Sequence, residues 1–113
     1  MSDLNDVIVS GEPYIVAFVF KIDESTPLDI SDFTALIELR KLSKNGELVD
    51  SWADGDVELS RDDLAGTVAL TLPPEYTRAL RLPPTYLDCL ITSVDSGVRS
   101  PAIKLTLDLG VTR

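Results

Sequence analysis

"PYIVAFVFKIDESTPLDIS", residues 13–31, sets seven apolar residues in a row, Tyr14 to Phe20, ahead of an acidic loop. The run is far short of the ~20 residues with which a helix crosses a bilayer. No basic region precedes it, so it does not read as a secretory signal. It reads as a strand with apolar side chains on both faces. Such a strand is central in a sheet or covered by a partner. The expectation is an internal strand of a β-sandwich.

The rest of the chain repeats the strand period. Ile103, Leu105, Leu107, Leu109 and Val111 alternate with Lys104, Thr106, Asp108, Gly110 and Thr112, which gives one buried face. Pro101 suits the start of that strand, where a missing N–H costs little. Phe33, Ala35, Ile37 and Leu39 form a second comb, opposed by Thr34, Glu38 and Arg40. Val68, Leu70 and Leu72 form a third, and Leu87, Cys89 and Ile91 a fourth. Turn signals separate the combs at Asp23–Pro27, Lys44-Asn45-Gly46, Asp54-Gly55-Asp56 and Asp95-Ser96-Gly97. Asn45-Gly46 predicts a hairpin between the Phe33–Leu42 strand and one around Leu48–Trp52. Pro73 to Leu80 breaks the pattern. Proline and an acid in the first turn, then Tyr76, Ala79 and Leu80 at helical spacing, predict a short helix. The sum is an all-β fold: an Ig-like antiparallel β-sandwich of about seven strands with one short helix, in a single domain over residues 1–113.

Net charge is −9, from 19 acids and 10 bases. A nucleic-acid surface needs clustered Lys and Arg to displace counterions, and anionic lipid needs the same, so neither partner is expected. The plain meaning of the charge is solubility and repulsion between copies. One cysteine, Cys89, leaves no internal disulfide and fits synthesis in a reducing cytoplasm. With no histidine, a zinc site of Cys and His ligands cannot be built within one chain.

Candidate chemistry is sparse. No histidine is present to act as general base, and no nucleophile elbow or phosphate-binding glycine loop appears. The expectation is a protein that is not an enzyme and carries no cofactor or metal. Segment 47–63 holds seven acids and one base. Asp54, Asp56 and Asp62 are candidates for docking on a partner, and Asp54-Gly55-Asp56 could offer oxygens to calcium, although the spacing misses the EF-hand loop. A solvated turn is the plainer reading. Trp52, beside this turn, could stack on a sugar or anchor a partner if exposed, against the commoner fate of packing in a core. Asp88 lies in an otherwise apolar strand and is expected to point outward with Tyr86, as an outward or edge-strand carboxylate that blocks mispairing or as a ligand. Cys89, on the inward comb, reads as a small core hydrophobe.

Together these segments resemble a known phage pattern: the small Ig-like domain at the N-terminus of siphophage baseplate upper proteins, found also as short stand-alone tail-cluster proteins. "SGEPYIVAFVFKIDESTPLDISDFTALIELRK" is similar in its glycine before an apolar strand and its turn into an aromatic-led strand. "GTVALTLPPEYTRAL" resembles the family's strand and short helix, with Thr77 and Leu80. "YLDCLITSVDSGV" resembles its hairpin, with Asp88, Thr92 and Gly97, and "IKLTLDLGVTR" its closing strand. Pro73-Pro74 and Pro83-Pro84 depart from the family's polar helix entry and its glycine before the tyrosine strand.

The resemblance implies a non-enzymatic structural subunit of a tailed bacteriophage virion, made in the bacterial host cytoplasm. It would be a tail or baseplate adaptor acting by protein–protein docking. A capsid decoration or cement protein is one alternative, and a carbohydrate- or calcium-binding β-sandwich module another. Implied partners are other virion proteins, met as a homo-oligomer or as lattice-bound copies, with segment Glu47–Asp63 and the chain ends at the contacts.

Overall fold

In a computed structural model, which describes residues 4–41, 46–80 and 85–108, the combs form strands. In chain order the first elements are β1 (Leu4–Val9), β2 (Tyr14–Val19), β3 (Lys21–Asp23), β4 (Thr26–Pro27), β5 (Thr34–Lys41) and β6 (Leu48–Ala53). There follow β7 (Leu59–Asp62), β8 (Thr67–Leu72), α1 (Pro74–Ala79), β9 (Thr85–Thr92), β10 (Gly97–Arg99) and β11 (Ile103–Asp108). The larger sheet runs β1-β11-β9-β5-β6, with β10 also on β9, and the smaller runs β2-β8-β7. β3 and β4 form a separate hairpin. Every pairing is antiparallel except β1 with β11. The fold is all-β with one short helix.

Period two decides which side chains meet. Ala35, Ile37 and Leu39 of β5 and Leu87, Cys89 and Ile91 of β9 are buried, as are Val68, Leu70 and Leu72 of β8. They join Tyr14, Phe18, Ile103 and Leu105 in one core cluster drawn from both sheets. Each fully buried Leu, Ile or Phe contributes about 1.5–3 kcal/mol, so this shared face outweighs any single polar contact.

The opening run is a strand, but not an internal one. Among the described residues β2 pairs only with β8 and ends the smaller sheet. Tyr14 and Phe18 face the core, whereas Ile15 and Val19 are 68 % and 54 % exposed. Double-sided apolarity here marks an uncovered outer face, not a central position. The strand total is also higher than about seven. β1 (LNDVIV) mixes polar and apolar residues, and β3, β4, β7 and β10 have two to four residues each, too few to show a period. The helix lies where proline and Tyr76 place it. β5 and β6 pair as a hairpin, with Lys41 N–H donating to the Glu47 carbonyl at 3.0 Å. Lys44, Asn45, Pro83-Pro84, Leu109, Val111 and both chain ends lie outside the described residues.

A register shift shapes the far side of β9. Arg99 stands opposite Leu90, yet Ile103 stands opposite Leu87. Pro101 and Ala102 therefore share the place opposite Asp88, a bulge that flips the side-chain alternation. Arg99 points outward with Leu90, while Ile103 and Leu105 point into the core. Ser100 secures the break: its N–H donates to the Cys89 carbonyl at 2.8 Å, and its Oγ accepts the Cys89 N–H at 2.9 Å. Pro101 has no N–H to lose there, as its place before a strand suggested.

α1 is tied to the β1–β2 corner through Thr77, which is wholly buried. Its Oγ1 accepts the Gly11 N–H at 3.1 Å and donates to the Glu12 carbonyl at 2.7 Å. At the opposite end of β2, Phe20 N–H donates to the Gly66 carbonyl and Leu28 N–H to the Phe20 carbonyl. Gly66 has φ +65°, and a Cβ there would lie 2.4 Å from the Phe20 oxygen and 2.6 Å from the Leu28 oxygen. Both are backbone atoms that cannot swing aside. Gly66→Ala should therefore destabilise the fold by about 2–4 kcal/mol in urea unfolding, through strain and lost contacts together. An unchanged midpoint would mean that the three segments do not approach as closely as described.

Candidate functional site

The outer face of the larger sheet carries a charge cluster. Since Ile37, Leu39, Leu87 and Cys89 turn inward, Glu38, Arg40, Tyr86 and Asp88 turn outward. Glu38 and Asp88 stand directly opposite one another, an unfavourable arrangement for like charges. Arg99 bridges them: its Nη1 donates to Glu38 Oε1 and to Asp88 Oδ1, each at 2.9 Å. Arg40 Nη2 donates to the second Glu38 oxygen at 2.9 Å. Both carboxylate side chains are 11 % exposed and the Arg99 side chain 45 %. Asp88 points outward, as expected, and does so from a central strand; of the outward and edge-strand positions, the outward one is realised. Its carboxylate serves an ion-pair cluster and not an edge.

The acidic segment 47–63 is largely engaged within the chain. Arg61, its one base, donates to both Asp54 oxygens at 3.0 Å, to Asp63 Oδ1 at 2.8 Å and to the Ile30 carbonyl at 2.6 Å. Asp54 Oδ2 also accepts the Ala35 N–H at 2.9 Å, joining the turn to the start of β5. Asp56 Oδ2 caps its own turn from the Ala53 N–H at 2.8 Å, and Asp62 Oδ1 accepts the Ala65 N–H at 3.4 Å. Asp56 and Asp62 remain exposed. Asp54 thus acts as a clamp residue, and reversing its charge would disturb the fold as well as any docking. Glu58, with Val57, Thr71 and Pro73, lines an open depression of about 210 Å³.

Trp52 is 5 % exposed, and its ring meets that of Tyr76 edge-on at 5.9 Å. Of its two readings, core packing is the one the fold realises. The ring is not available in this chain for sugar stacking or as a surface anchor. Tyr76 Oη donates to Asp50 Oδ2 at 2.7 Å and Tyr14 Oη to Asp6 Oδ2 at 2.8 Å. Burial first, then these acceptors, pushes both phenol pKa values well above their ordinary 10.0. Cys89 is wholly buried, and that burial, aided by the Asp88 charge, pushes its thiol up to about 12. It behaves as a core side chain. In the "TPLDIS" turn, Asp29 Oδ1 accepts both the hydroxyl and the N–H of Ser31, which holds its carboxyl below the usual range.

Among the described residues, no group of three or more His, Cys, Asp and Glu side chains is placed to hold a metal ion. None of the described helices is long and apolar enough to cross a membrane. The chain matches no family model and no curated protein.

Of the candidates drawn from sequence, Asp54 and Asp56 lie on the β6–β7 turn and Asp62 ends β7, while Trp52 is buried in the core. Sequence reasoning missed the two arginines that organise the charges. Arg61 had a signal, as the single base among seven acids. Arg99 had none, because only the bulge turns it toward Asp88. Replacing Arg99 with methionine leaves two facing carboxylates and should cost about 1–3 kcal/mol, discounted for the exposure of the arginine. Adding Glu38→Gln should recover most of that loss. Chemical denaturation of both variants checks it.

Proposed function

We propose that the chain is an Ig-like β-sandwich that serves as a non-enzymatic structural subunit of a tailed-phage virion and works by docking on neighbouring proteins. The strand order carries the fold part of this reading. β2, β8 and β7 take the places of strands B, E and D of an immunoglobulin sandwich, and β5, β9 and β10–β11 those of C, F and G. β6 extends the second sheet as a C′ strand does, and β1 lies parallel to the last strand at its far edge. The segments that carry the phage resemblance coincide with whole elements: "GTVALTLPPEYTRAL" with β8 and α1, and "YLDCLITSVDSGV" with β9 and its turn into β10.

Function then lies on the outside of the domain. A sandwich buries the inner face of each sheet and leaves outer faces, turns and edges for neighbours. Asp56, on the turn that leads into β7, and Asp62, at the strand's last residue, are both exposed and offer carboxylates to a basic partner. Exposed charge pairs of this kind are screened over about 8 Å at physiological salt. Fractionation of phage particles tests the reading. The 12.3 kDa chain should co-purify with particles and be released by high salt. Asp56→Lys with Asp62→Lys should release it at lower salt, whereas Asp54 is left alone because it clamps the fold. Presence on tailed but not tailless particles assigns it to the tail or baseplate, and the reverse to capsid decoration. Absence from all particles would contradict the proposal.

A further inference from the structure

The two main sheets end in β1 and β6, and in β2 and β7. Three of these edges carry charge, a common guard against edge-to-edge pairing. β1 has Asp6, β6 has Asp50, and β7 has Arg61 and Asp62. β2, Tyr-Ile-Val-Ala-Phe-Val, has neither a charge nor a proline. It is the unguarded one.

Among the described residues its backbone is also open on one side. Phe20 N–H donates to the Gly66 carbonyl at 2.8 Å, in register with the pairing of Tyr14 to Leu72 through Val19 to Thr67. In an antiparallel pair, alternate residues turn both backbone groups toward the partner strand and the others turn both away. Val16 and Phe18 therefore face β8, while Ile15, Ala17 and Val19 direct N–H and C=O to the free edge. On the β8 side the same parity holds, since Thr71 N–H bonds the Glu58 carbonyl toward β7. Ile15, Ala17 and Val19 are also the residues whose side chains lie exposed on the outer face.

We propose that β2 is a self-pairing edge: two copies of the chain join antiparallel along Ile15–Val19, across a two-fold axis at Ala17. Ile15 of one copy then lies opposite Val19 of the other, and Ala17 opposite Ala17, with the small side chain where the strands are symmetric. All the outward backbone groups between Ile15 and Val19 find partners, and the smaller sheets merge into one. The exposed apolar side chains of the two strands form one continuous stripe on its outer face.

Charge selects this occupant and this direction. Each copy carries −9, so like chains can approach only along a seam without acidic groups, and β2 provides one. Exposed Glu12 precedes the strand and exposed Lys21 follows it. Antiparallel pairing brings Glu12 of one copy near Lys21 of the other at both ends. Parallel pairing would set like against like.

Sedimentation equilibrium of the purified chain from about 1 μM to about 1 mM reads the association directly. The expected result is a monomer–dimer equilibrium that ends at twice the 12.3 kDa chain mass. It should tighten between about 0.15 M and about 1 M salt, as repulsion between copies is screened. Ala17→Lys sets two ammonium groups against each other at the axis and should weaken the dimer at least about tenfold. Ile15→Glu, at a side chain already in solvent, should do the same, and circular dichroism shows whether each variant keeps the fold. Ser60→Lys, on the opposite edge, should not weaken it. A monomer at every concentration and salt, an assembly larger than two, or a dimer that both folded β2 variants leave intact would overturn the proposal. The measurement uses the isolated chain, so it stands whether or not the chain is found on particles.

Discussion

Two residues, Pro101 and Ala102, stand where the ladder has room for one, opposite Asp88, and much of the larger sheet depends on that mismatch. Without it, one continuous strand along β9 could not place Arg99 outside and both Ile103 and Leu105 inside, because alternation forbids it. With it, the hairpin β9–β10 brings a guanidinium over two facing carboxylates, and β11 still closes the core. β1 then has a strand to lie along. The Ser100–Cys89 bonds supply what a proline cannot, since they engage both the N–H and the carbonyl of Cys89 beside the break.

Charge is used in two ways in this chain. The acids between Glu47 and Asp63 look from composition like one exposed face, but most are turn caps or partners of Arg61, Tyr76 and Lys41. What remains for an external partner is a small surface around Asp56 and Asp62. The other use is to guard sheet edges, at Asp6, Asp50, Arg61 and Asp62. β2 escapes it, and lies at the opposite edge of the smaller sheet from β7. The smaller sheet thus presents different chemistry at its two sides, acidic on the turns around β7 and apolar along β2.

The combs of β5, β8, β9 and β11 were legible because each sends one face to the core, and burial enforces period two. The helix was legible because proline, acid and apolar spacing agree within eight residues, Pro73 to Leu80. β2 was readable as a strand but not in its place, since a strand covered on both faces and a strand with a bare outer face have the same composition. Trp52 followed its usual fate of burial. The charge cluster was hidden because Glu38, Asp88 and Arg99 come from three strands, and only register brings them together. Short strands such as β7 and β10 owe their form to their neighbours and carry no period of their own.

β2 is an uncharged edge whose backbone alternates between a side paired with β8 and a side open among the described residues. Amide hydrogen exchange resolved by residue in dilute protein measures this directly. Slow exchange is expected at Val16 and Phe18 and fast exchange at Ile15, Ala17 and Val19, with the fast set becoming protected as concentration rises. Uniform protection from Ile15 to Val19 at the lowest concentration would contradict it, because that edge would then be covered within a single chain.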